Sequence, residues 1–180
     1  MHKGVPVNFK QNGKIILAFC IITGWLTTAI PGVGADKMIA GWLEMVRIYP
    51  GNLNVKAKLD SGAKTSSLNA AVIEEFERDA EKWVRFQVSD HKGKKLILEK
   101  KISRIAKIKL RSKRLQKRPV VILGICLGGI YKKVEVNLVD RSYFNYQMLL
   151  GRSFLAGALL VDSASKYTTK PACPKDGGHE

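Results

Sequence analysis

Histidine, cysteine and acidic residues are all scarce in this sequence of 180 residues. It contains three histidines, three cysteines and 15 Asp or Glu against 31 Lys or Arg, and its formal net charge is +16. The zinc-peptidase motif H-E-x-x-H is absent. Gly124 and Gly129 have the spacing of an ATP-binding P-loop, but Ile130 and Tyr131 follow where that motif requires Lys and then Ser or Thr. We therefore predict no metal ion and no other cofactor.

The three cysteines do not form the framework of a small disulfide-rich protein. Cys20 lies in an apolar N-terminal run, Cys126 in the apolar stretch "VVILGICLGG", and Cys173 in a polar C-terminal stretch. The pattern allows a bridge between Cys126 and Cys173, but two cysteines do not imply one. The pairing stays open at the level of the sequence.

The longest uncharged stretch, Ile15 to Ala35, lies near the N-terminus. Three lysines and no acid precede it, its centre is apolar, and it ends in Pro-Gly and small residues. This layout is typical of a secretory signal peptide in residues 1–35, with cleavage after Ala35. An uncleaved membrane anchor in residues 15–35 is the alternative, because 21 uncharged residues can just cross a bilayer. Both interpretations predict an exported protein, either periplasmic or secreted.

The remaining sequence has the length of one domain. We expect the domain in residues 36–163 and a disordered polar tail in residues 164–180. Without the three lysines of residues 1–35 the net charge falls from +16 to +13. This excess favours anionic partners, and we do not expect an exported protein to bind nucleic acid.

Short segments of alternating apolar and polar residues follow one another through this domain. Leu53–Asp60 alternates without a break, and a Pro-Gly-Asn turn joins it to an earlier strand in Gly41–Pro50. A short helix is predicted in Ala70–Lys82. Strand patterns recur in residues 82–90, 93–118, 119–141 and 146–163. The sequence therefore predicts a mainly β domain, a small closed barrel with one or two short helices.

One acid, Asp60, ends the regular strand pattern and is followed at once by Ser-Gly-Ala. Glycine in such a turn allows another backbone to approach closely, and serine can bind nearby backbone groups. An isolated Asp-Ser-Gly is most simply interpreted as a turn in which the carboxylate accepts local N–H groups. A functional interpretation needs a second feature elsewhere in the chain.

That second feature is "YQMLLGRSFL" (Tyr146–Leu155). The stretch "KLDSGAKTSSLNA" resembles the catalytic loop of retropepsin-like aspartic peptidases, and "YQMLLGRSFL" resembles the apolar-apolar-Gly element that packs beside that loop. Together with "RPVVILGICLGG" and "VEVNLVD", they resemble a bacterial family named ATP-dependent zinc proteases, assigned to the retropepsin-like group. The resemblance covers residues 41–163 and implies half of an acid-protease barrel and peptide hydrolysis. The sequence motifs give no support to the ATP or the zinc of the family name.

The chain departs from the family pattern at three positions. Ser61 stands where the family usually has Thr, which keeps the hydroxyl group. Asn69 stands where it often has His, so no role that needs a titrating imidazole is expected there. Gln147 stands where it often has Pro.

The resemblance implies a role for each matching residue. Asp60 is the catalytic residue, and Leu149, Leu150, Gly151 and Arg152 form the paired structural element. The residues implied to support the catalytic loop and to contact the substrate backbone are Ser61, Gly62, Ala63 and Thr65.

Aspartic catalysis needs two carboxylates that share one proton, and this sequence has one Asp-Ser-Gly. The resemblance therefore implies a homodimer with one Asp60 per subunit and a polypeptide substrate. The nearest alternative acid, Asp162, lacks the following glycine, and we interpret it as a strand-end carboxylate paired with a basic residue. Arg152 is likewise expected to pair with an acid at the start of a helix, and Asp140 with Arg141.

Basic residues are concentrated between Lys92 and Arg118, where 13 Lys or Arg accompany a single acid, Glu99. A solvated strand face is the simplest interpretation of such a run. In the retropepsin plan this strip includes the flap over the cleft, where it would favour acidic substrates or an anionic envelope surface. Few aromatic residues interleave with the charges, which argues against single-stranded nucleic acid.

Two other functions remain open on the sequence alone. One is a retropepsin-like domain without catalysis that serves as a binding module of the cell envelope. The other is a cationic protein that binds membrane surfaces or polymers through the basic strip, with salt-sensitive affinity.

Overall fold

The computed structural model describes residues 36–109 and 114–174. The predicted signal peptide or anchor lies outside these residues. In the described ranges, no helix has the length and hydrophobicity needed to cross a membrane. These residues form eleven strands and one short helix: β1 (Met38–Tyr49), β2 (Leu53–Leu59), β3 (Ser66–Asn69), β4 (Ala71–Arg78), β5 (Glu81–Ser89), β6 (Lys95–Lys101), β7 (Arg104–Lys109), β8 (Leu115–Leu127), β9 (Ile130–Val139), β10 (Met148–Leu150), α1 (Arg152–Leu155) and β11 (Leu159–Lys166).

Six of these strands close into a barrel, in the order β1-β2-β10-β3-β9-β8. The barrel closes because Arg47–Tyr49 of β1 also pair with Gly124–Cys126 of β8. Strand β11 continues the sheet beside β1, and β7 continues it beside β8. Alternate residues of β2, such as Val55 and Ala57, are fully buried in the core, as the period of two predicts. The predicted mainly β fold with a closed barrel and a short helix is confirmed.

The predicted helix in Ala70–Lys82 is wrong, because most of this segment is strand β4. Strand β4 pairs antiparallel with β5, and β5 pairs with β6, in a separate three-stranded sheet. Asp79 and Ala80, between β4 and β5, both have positive φ (52° and 58°), which suits a tight hairpin turn. Val84 and Phe86 of β5 lie fully buried in the same core as the barrel side chains. The segment therefore forms a strand and not a helix, because it pairs with a strand whose side chains are buried in the core.

The predicted disordered tail is wrong for residues 164–174. Strand β11 continues to Lys166, and the next residues bind Glu44 of β1, whose side chain is fully buried. The Glu44 carboxylate accepts N–H and O–H groups of both Thr168 and Thr169 and the N–H of Gly41, at 2.6–3.1 Å. Burial alone raises the pKa of Glu44, but these hydrogen bonds lower it below its ordinary value. A buried carboxylate satisfied in this way holds the tail against β1.

A disulfide fixes the end of this segment. Cys126 of β8 and Cys173 are bonded, with their Cα atoms 6.0 Å apart, and both are buried against Tyr49. The hydroxyl of Tyr49 donates to the carbonyl of Pro174 at 2.6 Å. The pairing that the sequence leaves open is therefore present in the structure.

Candidate active site

Asp60 directly follows the buried strand β2, and its turn is fixed by backbone hydrogen bonds. The N–H of Asp60 donates to the carbonyl of Leu150 at 2.8 Å, and its carbonyl accepts the N–H of Ala63 at 3.3 Å. Its Oδ1 accepts the N–H of Gly62 at 3.1 Å, so the local turn expected of an isolated Asp-Ser-Gly is also present. The Asp60 side chain is half-buried. The turn thus holds a carboxylate in a fixed place that remains open to solvent.

The two stretches that the resemblance pairs lie side by side. Strand β10 runs parallel to β2, with Leu150 opposite Leu59, and antiparallel to β3, with Leu149 opposite Ser67. A Cβ atom on Gly151 would lie 2.6 Å from the carbonyl oxygen of Thr65, so only glycine fits there.

The start of α1 continues this contact. The N–H groups of Arg152 and Ser153 donate to the carbonyls of Ala63 and Lys64 at 2.9 and 3.0 Å. The hydroxyl of Ser66, which is buried, accepts the N–H of Gly151 at 3.2 Å. The loop that follows Asp60 is therefore bound along its length to the paired element.

Arg152 does not pair with an acid, so that prediction is wrong. Its Nη1 donates to the carbonyls of Ser61 and Gly62, each at 2.9 Å. In the part of the chain that the structure describes, no ion pair involves Arg152. The guanidinium instead fixes the peptide groups immediately after Asp60.

The other two predicted ion pairs are also wrong. Asp162 lies within β11, and its carboxylate accepts the N–H of Ala164 and the hydroxyl of Ser165, bonds that lower its pKa. Asp140 accepts the N–H of Ser142 at 2.9 Å, and it forms no ion pair with Arg141 in the described ranges. Both acids are satisfied by neutral groups a few residues away, as is common at strand ends and turns.

A second arginine near Asp60, Arg141, was not identified as a site residue from the sequence. Arg141 is buried, and its Nη1 donates to the hydroxyl of Ser67 at 3.3 Å. Burial lowers the pKa of Arg141, the positive charge of Arg118 lowers it further, and the Asp60 carboxylate acts in the opposite direction. Arg118 is half-buried and donates to Asn137 Oδ1 at 3.2 Å. The Arg141 guanidinium therefore contributes positive potential at the candidate aspartate, and Arg118 lies close enough to Arg141 to act on it.

The remaining departures from the family pattern also have structural partners. Asn69 Oδ1 accepts the N–H of Arg141 at 2.6 Å. Gln147 accepts the N–H of Lys56 and donates to the carbonyls of Ser89 and Asp90, and so it links β2 to the end of β5. Both side chains hold the backbone around the start of β10, at the end of that strand away from Gly151.

A cleft of about 560 Å³ adjoins the loop of Asp60. Lys64 and Thr65 line one side and Arg104–Ile108 of β7 line the other. Glu135 also lines it and binds the guanidinium of Arg104 with both carboxylate oxygens. The first strand of the β7–β8 hairpin, which carries part of the basic strip, therefore forms a wall of the cleft beside the candidate aspartate.

The residues present do not fit a zinc site. In residues 36–109 and 114–174, no three His, Cys, Asp or Glu side chains come together. Cys126 and Cys173 are consumed in a disulfide, and His91 lies with its Nδ1 3.0 Å from the carbonyl of Asn54. Protein zinc sites take three or four such ligands, so we assign no zinc ligands and derive no step through the metal.

Comparison with known proteins gives curated relatives that are named as ligases. The chain is 38% identical over 116 residues to a "Probable alpha-L-glutamate ligase" of Shewanella halifaxensis, a match that covers 63% of this chain and 25% of the relative. A protein of the same name from Desulfotalea psychrophila is 34% identical over 118 residues, which cover 61% of this chain and 24% of the relative. The chain thus spans about a quarter of the length of the curated relatives it matches.

A solved structure has a similar fold. The crystal structure of a Legionella pneumophila protein of unknown function superposes with a TM-score of 0.64 at 37% identity, covering 75% of this chain and all of that one. The model of the RimB-like family, described as "Retropepsin-like aspartic endopeptidase RimB", matches residues 39–172, which is most of the chain. With the Asp-Ser-Gly turn and the Leu-Leu-Gly-Arg element side by side, this match shows that the chain belongs to the RimB-like family of retropepsin-like proteins.

Proposed function

We propose that this protein is an exported aspartic-type endopeptidase that acts as a homodimer. The observation that carries the proposal is the fixed geometry of the Asp60 turn, whose N–H donates to Leu150 and whose carbonyls accept from Arg152, in a loop that lines an open cleft. The chain has one Asp-Ser-Gly turn, and its other candidate acid, Asp162, is engaged within β11. A second copy of the chain therefore has to supply the second carboxylate.

In this mechanism the two Asp60 carboxylates share one proton, because like charges so close together do not both ionise. The ionised one takes a proton from a bound water, whose oxygen attacks the peptide carbonyl carbon. The protonated one donates to the carbonyl oxygen. Collapse of the tetrahedral intermediate breaks the C–N bond, and the amine leaves with a proton. Ser61, exposed on the turn, is positioned to bind the partner's turn, and Gly62 and Ala63 leave room for the substrate backbone.

Exposed apolar side chains mark the surface that we assign to the second copy. Ile39 of β1 and Leu160 and Val161 of β11 are 65%, 52% and 37% exposed. Strand β11 pairs with β1 and is the last strand of the sheet among residues 36–109 and 114–174, where its outer edge offers free backbone groups. A second copy would bury these side chains and pair this edge.

We propose an acidic polypeptide as the substrate. Lys64 and Lys107 line the cleft and form no ion pair in the described part of the chain, and the charge of the buried Arg141 acts on Asp60. The curated relatives are named for joining glutamate, which makes a glutamate-rich segment the specific candidate. Ligase activity is not carried over, because three quarters of each relative lies outside the match.

Export is part of the proposal and has one structural support. The Cys126–Cys173 disulfide is of a kind that persists in oxidising compartments and is rare in the cytosol. It agrees with the signal-like sequence of residues 1–35.

The test is cleavage of glutamate-rich and neutral peptides by the full chain and its Asp60→Asn and Asp162→Asn variants, from pH 4 to pH 8, with the molecular mass measured on the same samples. We expect cleavage by the wild type and by Asp162→Asn, but not by Asp60→Asn, in samples that are dimeric. Leu160→Asp should reduce both dimer and activity, whereas Ile97→Asp, at an equally exposed position of β6, should not. Cleavage by Asp60→Asn would overturn the proposal.

The second candidate function is a binding module without catalysis that uses the basic strip Lys92–Arg118. Among its described basic residues only Lys101 and Arg104 form ion pairs, so most of its positive charge is free for an anionic surface. It predicts no cleavage at any pH by a folded dimer, together with binding to anionic vesicles that falls steeply with salt.

A further inference from the structure

A cleft of about 890 Å³ lies at the β1–β2 turn, which is the opposite end of β2 from Asp60. The two ends of β2 are separated by about 20 Å, because a strand rises about 3.3 Å per residue. Its volume is within the range of small-molecule sites. The side chains that argue for a ligand are three aromatic ones, Tyr49, Trp83 and Tyr131, two isoleucines, Ile102 and Ile122, and lysines of β6 and β9.

The aromatic wall of this cleft is rigid. The ring of Tyr131 lies over Gly124, where a Cβ atom would be 2.3 Å from its hydroxyl oxygen. Tyr49 meets Tyr131 edge to face, with ring centroids 5.6 Å apart, and the Cys126–Cys173 disulfide packs behind both rings. A wall held by a disulfide and by ring contacts does not have to be ordered when a ligand binds, so the cleft is preformed.

The charge around the cleft is positive. Glu99 lines it but is bound by the guanidiniums of Arg78 and Arg85, each at 2.7 Å, and Lys101 is paired with Glu81. Lys100 and Lys133 also line the cleft, and neither forms an ion pair among the residues that the structure describes. Two ammonium groups beside an apolar, aromatic wall are suited to a ligand with an anionic head and an apolar body.

We propose that this cleft binds a small aromatic or aliphatic carboxylate. The apolar body would lie against Tyr131 and Ile122, whose side chain is 51% exposed, and the carboxylate would lie between Lys100 and Lys133. This site is separate from the Asp60 turn, so the inference does not depend on peptidase activity. The carboxylate belongs either to a free acid or to the C-terminus of a peptide, since both present the same head group.

The test is titration of the full chain with naphthaleneacetate, followed in ¹H–¹⁵N NMR spectra. The indole N–H of Trp83 is a suitable reporter, because Nε1 is buried and has no hydrogen-bond partner among the described residues, and Trp83→Phe assigns its resonance. Trp42, which packs against Tyr146, is the internal control. We expect the Trp83 resonance to shift with ligand up to about 1 mM, while the Trp42 resonance stays in place. Naphthaleneacetamide, which lacks the charge, should bind about tenfold more weakly or worse.

Two variants locate the site, and two peptides identify the source of the carboxylate. Ile122→Glu should weaken binding about tenfold or more, because it removes apolar contact and adds a repelling charge. Ile97→Glu, at the similarly exposed position outside the cleft, should leave binding unchanged. A peptide that ends in Phe with a free C-terminal carboxylate is compared with the same peptide as its C-terminal amide. Tighter binding of the free carboxylate would show that a peptide C-terminus can occupy the cleft. The proposal is overturned if the folded protein shows no Trp83 shift, if the amide binds equally well, or if Ile122→Glu binds like wild type.

Discussion

At Arg152, an exposed guanidinium donates to two carbonyls of the turn that carries Asp60, on Ser61 and Gly62. It does so from the first residue of α1, whose backbone N–H also binds the loop at Ala63. Arg152 is therefore a positioning residue in the proposed mechanism, since it acts on Asp60 through the peptide groups of the turn. Its exposure means that it contributes little to the core.

Replacement of Arg152 by Met should separate activity from stability. We expect kcat/KM to fall about 10- to 100-fold, because small displacements of a reacting group have effects of this size. The free energy of unfolding should change by no more than about 0.5 kcal/mol, as for most exposed positions. Arg152→Lys should recover part of the activity through one of the two hydrogen bonds. Steady-state cleavage measures kcat/KM, and urea unfolding measures the free energy of unfolding. The positioning role would be contradicted if Arg152→Met and Arg152→Lys lost the same activity and both lost stability as well.

Gly151 makes the opposite prediction, because its surroundings leave no space. A Cβ atom there would be 2.6 Å from the carbonyl oxygen of Thr65 and 3.0 Å from that of Ala63, both of which are backbone atoms. Gly151→Ala should therefore lower the free energy of unfolding by about 1–3 kcal/mol and lower activity as well. Gly129→Ala is the matched control, since a Cβ at Gly129 meets nothing within 4 Å. Comparable destabilisation of both variants in urea would show that close packing at Gly151 is not the cause.

At the scale of elements, one carboxylate holds the residues that directly follow β11. Glu44 accepts five hydrogen bonds, four of them from Thr168 and Thr169, and its pKa is lowered despite its burial. A carboxyl group with a lowered pKa in the folded state stabilises that state at pH values above its unfolded pKa, about 4.3. The stabilisation is lost as the pH falls through the lower, folded-state value.

Protonation of Glu44, at a pH below about 4.3, should therefore loosen Thr168 and Thr169 from β1, while the disulfide still holds Cys173. Hydrogen exchange at the amides of Thr168 and Thr169 would report this loosening directly. Glu44→Gln should lower stability by about 1.5–3 kcal/mol at pH 7, the size of a hydrogen bond to a charged group, and should remove this acid dependence. Glu77→Gln, on the exposed face of β4, is the control. An acid dependence that persists in Glu44→Gln would assign it to other groups.

The elements also show where sequence reasoning succeeds and where it fails. The alternation of β2 gave its two faces correctly, because Leu53, Val55, Ala57 and Leu59 are buried and the residues between them are not. The segment of β4 is rich in Glu and Ala, which favour helices. It forms a strand because it pairs with β5, whose side chains Phe86 and Val88 are buried in the core. The tail is polar, as a disordered segment would be, but its threonines satisfy a buried acid 124 residues away. No local pattern contains such a partner.

The same limit applies to the candidate site. The Asp-Ser-Gly turn and the Leu-Leu-Gly-Arg element were found from the sequence because each is a contiguous motif with a known relation to the other. The carbonyl partners of Arg152 and the buried Arg141 were not, because their contacts depend on tertiary geometry. An arginine beside an acid in sequence, such as Asp140–Arg141, suggests an ion pair, but in the loop after β9 the two side chains bind different partners.

For the whole molecule, the decisive question is whether one chain or two carry the reaction. Each chain has a single Asp-Ser-Gly, and the alternative acid Asp162 is held within β11 by Ala164 and Ser165. If Asp60 from each of two subunits is required, activity must depend on subunit mixing. If Asp162 of the same chain serves instead, each subunit works alone.

Mixing wild type with Asp60→Asn distinguishes these cases without any change of fold. When an equal amount of the variant is added to a fixed amount of dimeric wild type and the subunits exchange, random pairing leaves about half of the original wild-type dimers. We therefore expect cleavage to fall to about half, and to fall further as more variant is added. Addition of Asp162→Asn, which should form active mixed dimers, is the control and should not lower the rate. A rate unaffected by Asp60→Asn, once exchange has been verified by mass spectrometry of differently tagged subunits, would contradict catalysis across the dimer and place both carboxylates in one chain.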